Sequence, residues 1–101
     1  PRLCWNRYFS GMPKGTCPVQ GPDQRKRNAF GLADMAGNVY EWTSSNYCED
    51  YVSSCWDSRR AVRGGSWGSS TAAAVRVACR DANSPDDHYD SLGFRFVRSY
   101  P

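Results

Sequence analysis

An irregular, strand-containing α+β domain with long loops is the fold class this sequence predicts, and three observations predict it. Leucine is nearly absent, with only Leu3, Leu32 and Leu92, whereas glycine, proline and serine recur throughout. That composition argues against a helical bundle. Apolar residues alternate over short runs, and no heptad or internal repeat is present. Aromatic residues make up 14% of the chain, so a few large side chains carry much of the burial. At 101 residues the chain makes one small domain at most, with a modest core and much exposed surface.

Residues 1–22 read as loop, because Gly11, Pro13, Gly15, Pro18, Gly21 and Pro22 interrupt any regular element. Asp23–Arg27 reads as a charged, exposed turn. Phe30 and Leu32 flank Gly31 as in a short strand, and Asp34–Asn38 follows as a turn. Val39–Thr43 is β-branched and aromatic and alternates, so it is a strand. Ser44–Arg60 is polar and irregular, with Tyr47, Tyr51 and Trp56 as anchors. Ala61–Trp67 returns to strand character, and Gly64-Gly65 marks a bulge or a close backbone approach. Val75–Arg80 has a two-residue period and reads as a strand. Asp81–Ser91 is loop, and Leu92–Ser99 is the last predicted strand.

The net charge of +3 comes almost wholly from arginine, eleven against two lysines. An excess this small does not point to nucleic acid, and none is expected as a partner. Arginine pairs carboxylates and stacks on aromatic rings. Arg76, Arg80 and Arg95 therefore read as structural cations, with an anion clamp as the functional alternative. No run is long enough to span a membrane. The chain begins at Pro1 and not Met, so we read it as processed, excised or a fragment, and the lack of a signal peptide leaves export open.

Five cysteines and a single histidine, His88, lack C-x-x-C or zinc spacing. Cys4 with Cys17 and Cys48 with Cys55 are the expected pairs, leaving Cys79. Two disulfides suit an exported protein. Spacing alone does not fix the connectivity, and five free thiols in a cytosolic chain is the competing reading.

Four motifs in order carry a family resemblance. They are Asn28-Ala29-Phe30-Gly31-Leu32; Asp34-Met35-Ala36-Gly37-Asn38-Val39-Tyr40-Glu41-Trp42; Arg63-Gly64-Gly65-Ser66-Trp67; and Arg76, Arg80 and Pro85 with Gly93-Phe94-Arg95. The chain resembles the formylglycine-generating enzyme, or sulfatase-modifying-factor, family. That family is shared with ergothioneine-type sulfoxide synthases and with the variable proteins of diversity-generating retroelements. The resemblance implies a variant C-type lectin fold with a small antiparallel sheet. Residues 1–101 would be a single domain of this type lacking the N-terminal half of the family domain. A bacterial-type setting, exported or at the cell surface, is expected.

The resemblance also bears on chemistry. The family's oxidases bind copper through two cysteines after the Gly-Gly-Ser-aromatic motif, and those positions fall at about Ser69 and Ala74. Serine and alanine do not replace soft thiolates, so copper is not expected and the chain leans away from being an enzyme. Asn38 and Glu41 match a structural calcium site of the family, and oxygen ligands suit that ion. The competing reading has Asn38 capping its own turn and Glu41 pairing Arg63 or Arg95.

Relatives diversified by retroelements carry their varied residues in segments matching Gly68–Ala74 and Asp81–Ser91. Polar loops held on a rigid scaffold are where binding sits, and Tyr, Ser, Gly and Asn are adaptable contact residues. We therefore expect a non-catalytic ligand-binding or display domain contacting an unknown protein or small molecule. The contacts would come from Ser69, Ser70, Thr71, Ala73, Asp81, Ala82, Asp86, His88, Tyr89 and Asp90. His88 among its carboxylates reads as an exposed polar loop and not as a general base. The alternative function is part of a formylglycine-generating-like oxidase or an ergothioneine-type sulfoxide synthase, or an accessory domain of one.

Overall fold

The computed structural model describes residues 4–7, 10–19, 27–50 and 58–99. The predicted turn Asp23–Arg27, apart from Arg27, lies outside them, as do Tyr51, Cys55 and Trp56. Four strands form one sheet: β1 Tyr40–Asn46, β2 Arg60–Arg63, β3 Arg80–Asn83 and β4 Leu92–Gly93, in the order β3-β2-β1-β4. A 3-10 turn, Ala72–Val75, lies between β2 and β3.

β1 is built from the aromatic and β-branched run, as its alternation predicts. It pairs antiparallel with β2, setting Glu41 opposite Arg63 and Trp42 opposite Val62. The ladder then slips, so that Asn46 faces Arg60. Side chains cover the slip. The Thr43 hydroxyl donates to the Ala61 carbonyl at 2.7 Å. Arg60 donates to the Ser44 carbonyl at 3.1 Å and to the Asn46 Oδ1 at 2.5 Å. β2 pairs antiparallel with β3, with Val62 opposite Asp81 and Ala61 opposite Ala82.

Side chains alternate across a strand, so the register sorts the sheet into two faces. Tyr40, Trp42, Val62 and Asp81 share one; Glu41, Ala61, Arg63, Arg80 and Ala82 share the other. Val62 is fully buried at the centre, and Ala61, Trp67, Val75 and Cys4 complete the buried apolar set. Burying a valine of this kind stabilises by about 1.5–3 kcal/mol.

Backbone hydrogen bonds tie the motifs into one hub. Gly37 N–H donates to the Gly64 carbonyl at 2.6 Å, and Asn38 N–H to the Cys4 carbonyl at 2.7 Å. Trp67 N–H donates to the Asn38 carbonyl at 2.8 Å, and Arg7 N–H to the Trp67 carbonyl at 2.9 Å. The Asp34–Asn38 turn and the Gly-Gly-Ser-Trp corner thus satisfy each other's buried polar groups. Cys4 and Cys17 form the expected disulfide, with Cα atoms 6.0 Å apart, and fasten the N-terminal loop to this hub. Cys48 is also disulfide-bonded, with its expected partner outside the described residues, and Cys79 is free and half-buried.

The structure corrects several expectations. The strand predicted over Ala61–Trp67 ends at Arg63, and β1 runs on to Asn46 inside the segment predicted as irregular. Phe30–Leu32 is a turn and not a strand: the Asn28 Oδ1 accepts from both the Phe30 and Leu32 amides at 2.9 and 3.0 Å. A side-chain acceptor of this kind competes with sheet pairing. Val75–Arg80 is not a strand either. Local bonds close the 72–79 segment, Ala74 N–H to Thr71, Arg76 N–H to Ala73 and Cys79 N–H to Arg76. Val77 is consequently 94% exposed, and the strand begins only at Arg80, the last residue of the predicted one, and runs to Asn83 inside the predicted loop. The last predicted strand, Leu92–Ser99, is confined to Leu92–Gly93. The sheet is mixed and not wholly antiparallel, because β4 runs parallel to β1, with Tyr40 opposite Leu92.

Candidate functional site

The two polar segments converge on one place, framed by Tyr40 and Trp67. The Trp67 corner begins the first segment. Ser66 N–H donates to the Ser69 Oγ at 2.9 Å, and Ser69 N–H to the Ser66 carbonyl at 3.1 Å. This closed turn buries both serines. The second segment leaves β3 and is anchored at its far end. There the Trp67 indole N–H donates to the Asp90 carbonyl at 3.4 Å, and Tyr40 N–H to the Ser91 carbonyl at 2.7 Å. Its near end is braced by Asp87, whose Oδ2 accepts from the Ser84 amide at 2.9 Å and the Asn83 side chain at 3.2 Å.

Tyr40 sits at the junction. Its phenol lies near Ser69, Asp81 and Cys79. Burial pushes that phenol above the ordinary tyrosine range; the Ser69 hydroxyl opposes the shift, and Asp81 and Cys79 add to it. Tyr40, Ser66 and Trp67 thus frame the site, although sequence reasoning named none of them as site residues. The available signal was the alternation of Val39–Thr43, which already sets Tyr40 and Trp42 on one face.

The predicted contact residues divide. Ser70, Thr71, Ala73, Asp81, Asp86, His88, Tyr89 and Asp90 are exposed, and of these Asp81 lies near Tyr40 and the Asp90 carbonyl meets Trp67. Ser69 is buried, and its hydroxyl closes the turn near Tyr40. Ala82 is half-buried and shares a sheet face with Ala61, opposite to that of Asp81. His88 is exposed, with its Nδ1 3.3 Å from the Asp86 carbonyl oxygen. Ala74 follows within the 3-10 turn and packs by the Gly65 backbone.

Of the three predicted cations, Arg76 is exposed, and Arg80 and Arg95 are held structurally. Arg95 forks onto both oxygens of Glu41 and also donates to the Ala33 and Asp34 carbonyls at 3.0 and 3.2 Å. Arg80 donates to the Cys48 and Glu49 carbonyls and lies 5.1 Å over the Tyr47 ring. The Asn38 Oδ1 accepts from the Cys17 amide at 2.8 Å. Asn38 and Glu41, the pair that the resemblance matches to a calcium site, are thus engaged by the Cys17 amide and by Arg95 respectively. No cluster of three or more His, Cys, Asp or Glu gathers among the described residues.

A small sheet with irregular connections, carrying two polar loops over one end, defines an irregular α+β scaffold of the C-type-lectin kind. The chain belongs to the sulfatase-modifying-factor family, whose Sulfatase-modifying factor enzyme 1-like domain matches residues 2–100. It is 41% identical over 87 residues to a Bos taurus protein named inactive C-alpha-formylglycine-generating enzyme 2, covering 80% of this chain and 26% of that one. It is 34% identical over 91 residues to the formylglycine-generating enzyme of Streptomyces coelicolor, covering 79% of this chain and 28% of the enzyme. Among solved structures, Treponema denticola variable protein 1 superposes with a TM-score of 0.66 at 31% identity, over 80% of this chain and 31% of that one. The chain thus spans about a quarter of the length of the curated relatives it matches. No helix of the described residues is long and apolar enough to cross a membrane.

Proposed function

We propose that this chain is a non-catalytic ligand-binding domain of its family, displaying Ser70–Ala73, Asp81 and Asp86–Asp90 as one contact face. The observation that carries the reading is the use made of position 69. Where the family resemblance places a copper thiolate, a serine is buried, and its hydroxyl accepts from the Ser66 amide beside Tyr40. Position 74 presents a methyl group, which no metal takes as a ligand. The corner that would hold a metal is instead a support for exposed polar loops on a braced scaffold, the usual placing of binding residues. The likeness to a protein named inactive and to a variable protein supports the same reading. The Cys4–Cys17 disulfide supports an exported or surface setting.

The test uses the polypeptide as encoded. With copper and a cysteine-containing peptide it should form no formylglycine. Panning a displayed peptide library should yield binders whose affinity falls at least about tenfold in an Asp86→Ala/Tyr89→Ala variant. The stability of that variant should stay within about 0.5 kcal/mol of the parent. Copper-dependent turnover, or binders indifferent to the loop variant, would defeat the proposal and favour the oxidase alternative.

A further inference from the structure

The described residues between Cys4 and Cys17 form a strap, and the two cysteines close it into a loop with a sequence separation of 13. Cys4 is buried and bridges to Gly37, and its carbonyl accepts from the Asn38 amide at 2.7 Å. The approach is close, since a methyl on Gly37 would lie 2.6 Å from that carbonyl oxygen. At the far end the Cys17 amide donates to the Asn38 Oδ1 at 2.8 Å, and between the two the Arg7 amide donates to the Trp67 carbonyl at 2.9 Å. The strap's backbone thus meets the domain at Gly37, Asn38 and Trp67.

These contacts stand directly behind the anchor of the second polar segment. Trp67 donates its amide to the Asn38 carbonyl at 2.8 Å and its indole N–H to the Asp90 carbonyl at 3.4 Å. Tyr40, two residues on from Asn38, donates its amide to the Ser91 carbonyl at 2.7 Å. Both cysteines belong to the strap, so their bond fixes the shape in which its two ends meet Asn38 together. Closing a loop of this length favours that shape by about a hundredfold. Once opened, the strap relies on a few hydrogen bonds, and ordering a residue costs at least as much as one such bond returns. The bond is also placed to be broken. Cys17 is the less buried of the pair, and the Arg7 Nη1 donates to its Sγ at 3.1 Å. A guanidinium there stabilises the thiolate that Cys17 becomes when the bond is cut.

We propose that the Cys4–Cys17 bond is a redox switch for the contact face. Oxidised, the strap braces Trp67 and seats the 84–91 segment; reduced, it comes loose and unseats that segment while the sheet stays folded. That the seated segment binds a ligand rests on the function proposed above. The reductant is a dithiol. One of its thiolates attacks the Cys17 sulfur, the Cys4–Cys17 bond breaks, and Cys4 leaves as a thiolate and takes up a proton. The second thiol of the reductant, losing its proton, then displaces Cys17 as a thiolate beside Arg7, so the reductant ends as a disulfide and the chain as two reduced cysteines. The face is therefore assembled when the chain passes from a reducing to an oxidising setting.

The test compares the polypeptide as encoded when oxidised, when reduced with dithiothreitol and when reoxidised. Cys4→Ser/Cys17→Ser, kept oxidised, separates this bond from the one that Cys48 makes. Hydrogen exchange read by mass spectrometry should show the amides of Trp67 and Ser84–Leu92 at least about tenfold less protected in the reduced chain and in the double variant. Those of β1 and β2 should stay protected at least about tenfold over an unfolded chain, and reoxidation should restore the rest. Binders panned against the oxidised chain should lose at least about tenfold in affinity on reduction. Unchanged exchange at Ser84–Leu92 would overturn the switch. Loss of protection in β1 and β2 alongside it would also overturn the switch, because the bond would then only hold the fold. Exchange that responds as expected in a chain that yields no binders would uphold the switch and defeat the binding reading.

Discussion

Substituting Gly65 tests whether the first polar segment is held where the structure puts it. Gly65 has a φ of +68°, and a methyl there would lie 2.6 Å from the Val75 Cγ1, 2.9 Å from the Ala74 carbonyl oxygen and 3.1 Å from the Ser69 Oγ. Val75 is buried and the Ala74 oxygen is backbone, so neither can swing aside. A left-handed alanine costs about 1–2 kcal/mol, and forcing extra carbon into a packed site adds about 1–3 kcal/mol. Gly65→Ala should therefore lose about 2–5 kcal/mol, a large share of the 5–15 kcal/mol available to a domain. Gly31→Ala is the control, because Gly31 has a φ of +78° but nothing within 4 Å of the added methyl. It should lose only the conformational part, about 1–2 kcal/mol. Urea unfolding followed by tryptophan fluorescence measures both. If the two variants proved equally stable, the packing of Ala74 and Val75 against Gly65 would be wrong, and with it the placing of Ser70–Ala73.

Three further outcomes follow from the same geometry. Cys4→Ala/Cys17→Ala opens a loop with a sequence separation of 13 and should cost about 3 kcal/mol in urea unfolding; a loss below about 1 kcal/mol would mean that the N-terminal loop is held without the bond. Tyr40 is raised above its ordinary range, so the unfolded chain ionises first as pH climbs past about 10. Stability should be unaffected by this group below that pH and fall above it, and Tyr40→Phe should flatten the difference between pH 9 and pH 11; identical slopes for both proteins would contradict the burial. A double-mutant cycle on Glu41 and Arg95, with side chains 15% and 34% exposed, should give a coupling of about 1 kcal/mol, as suits a forked but partly solvated pair. A coupling of zero would remove Arg95 as the partner of Glu41.

Tyr40–Thr43 was legible because β-branched and aromatic side chains alternate there, and alternation is what a half-buried strand requires; the polar Ser44–Asn46 end of β1 was not. The Cys4–Cys17 bond matched the expected pairing, though spacing alone left the connectivity open. Val75–Arg80 misled because alternation is also what a run of turns can show by chance. Its backbone groups found partners three residues back before any strand could offer them. Phe30–Leu32 misled for a related reason, since the Asn28 carboxamide supplies the partner that a neighbouring strand would have supplied.

The working face divides along the same line. Sequence by itself determined the family, the alternation that builds β1 and the absence of thiols at positions 69 and 74, because each depends only on which residues stand in what order. Only the tertiary structure decided that Ser69 turns inward while Ser70 and Thr71 stay exposed, and that Arg95, and not Arg63, neutralises Glu41. It also brought Asp81 and the 86–90 loop to the Tyr40–Trp67 junction. These are contacts between residues far apart in the chain. Their outcome depends on sheet register and on which buried donor meets which acceptor, and local sequence pattern carries neither.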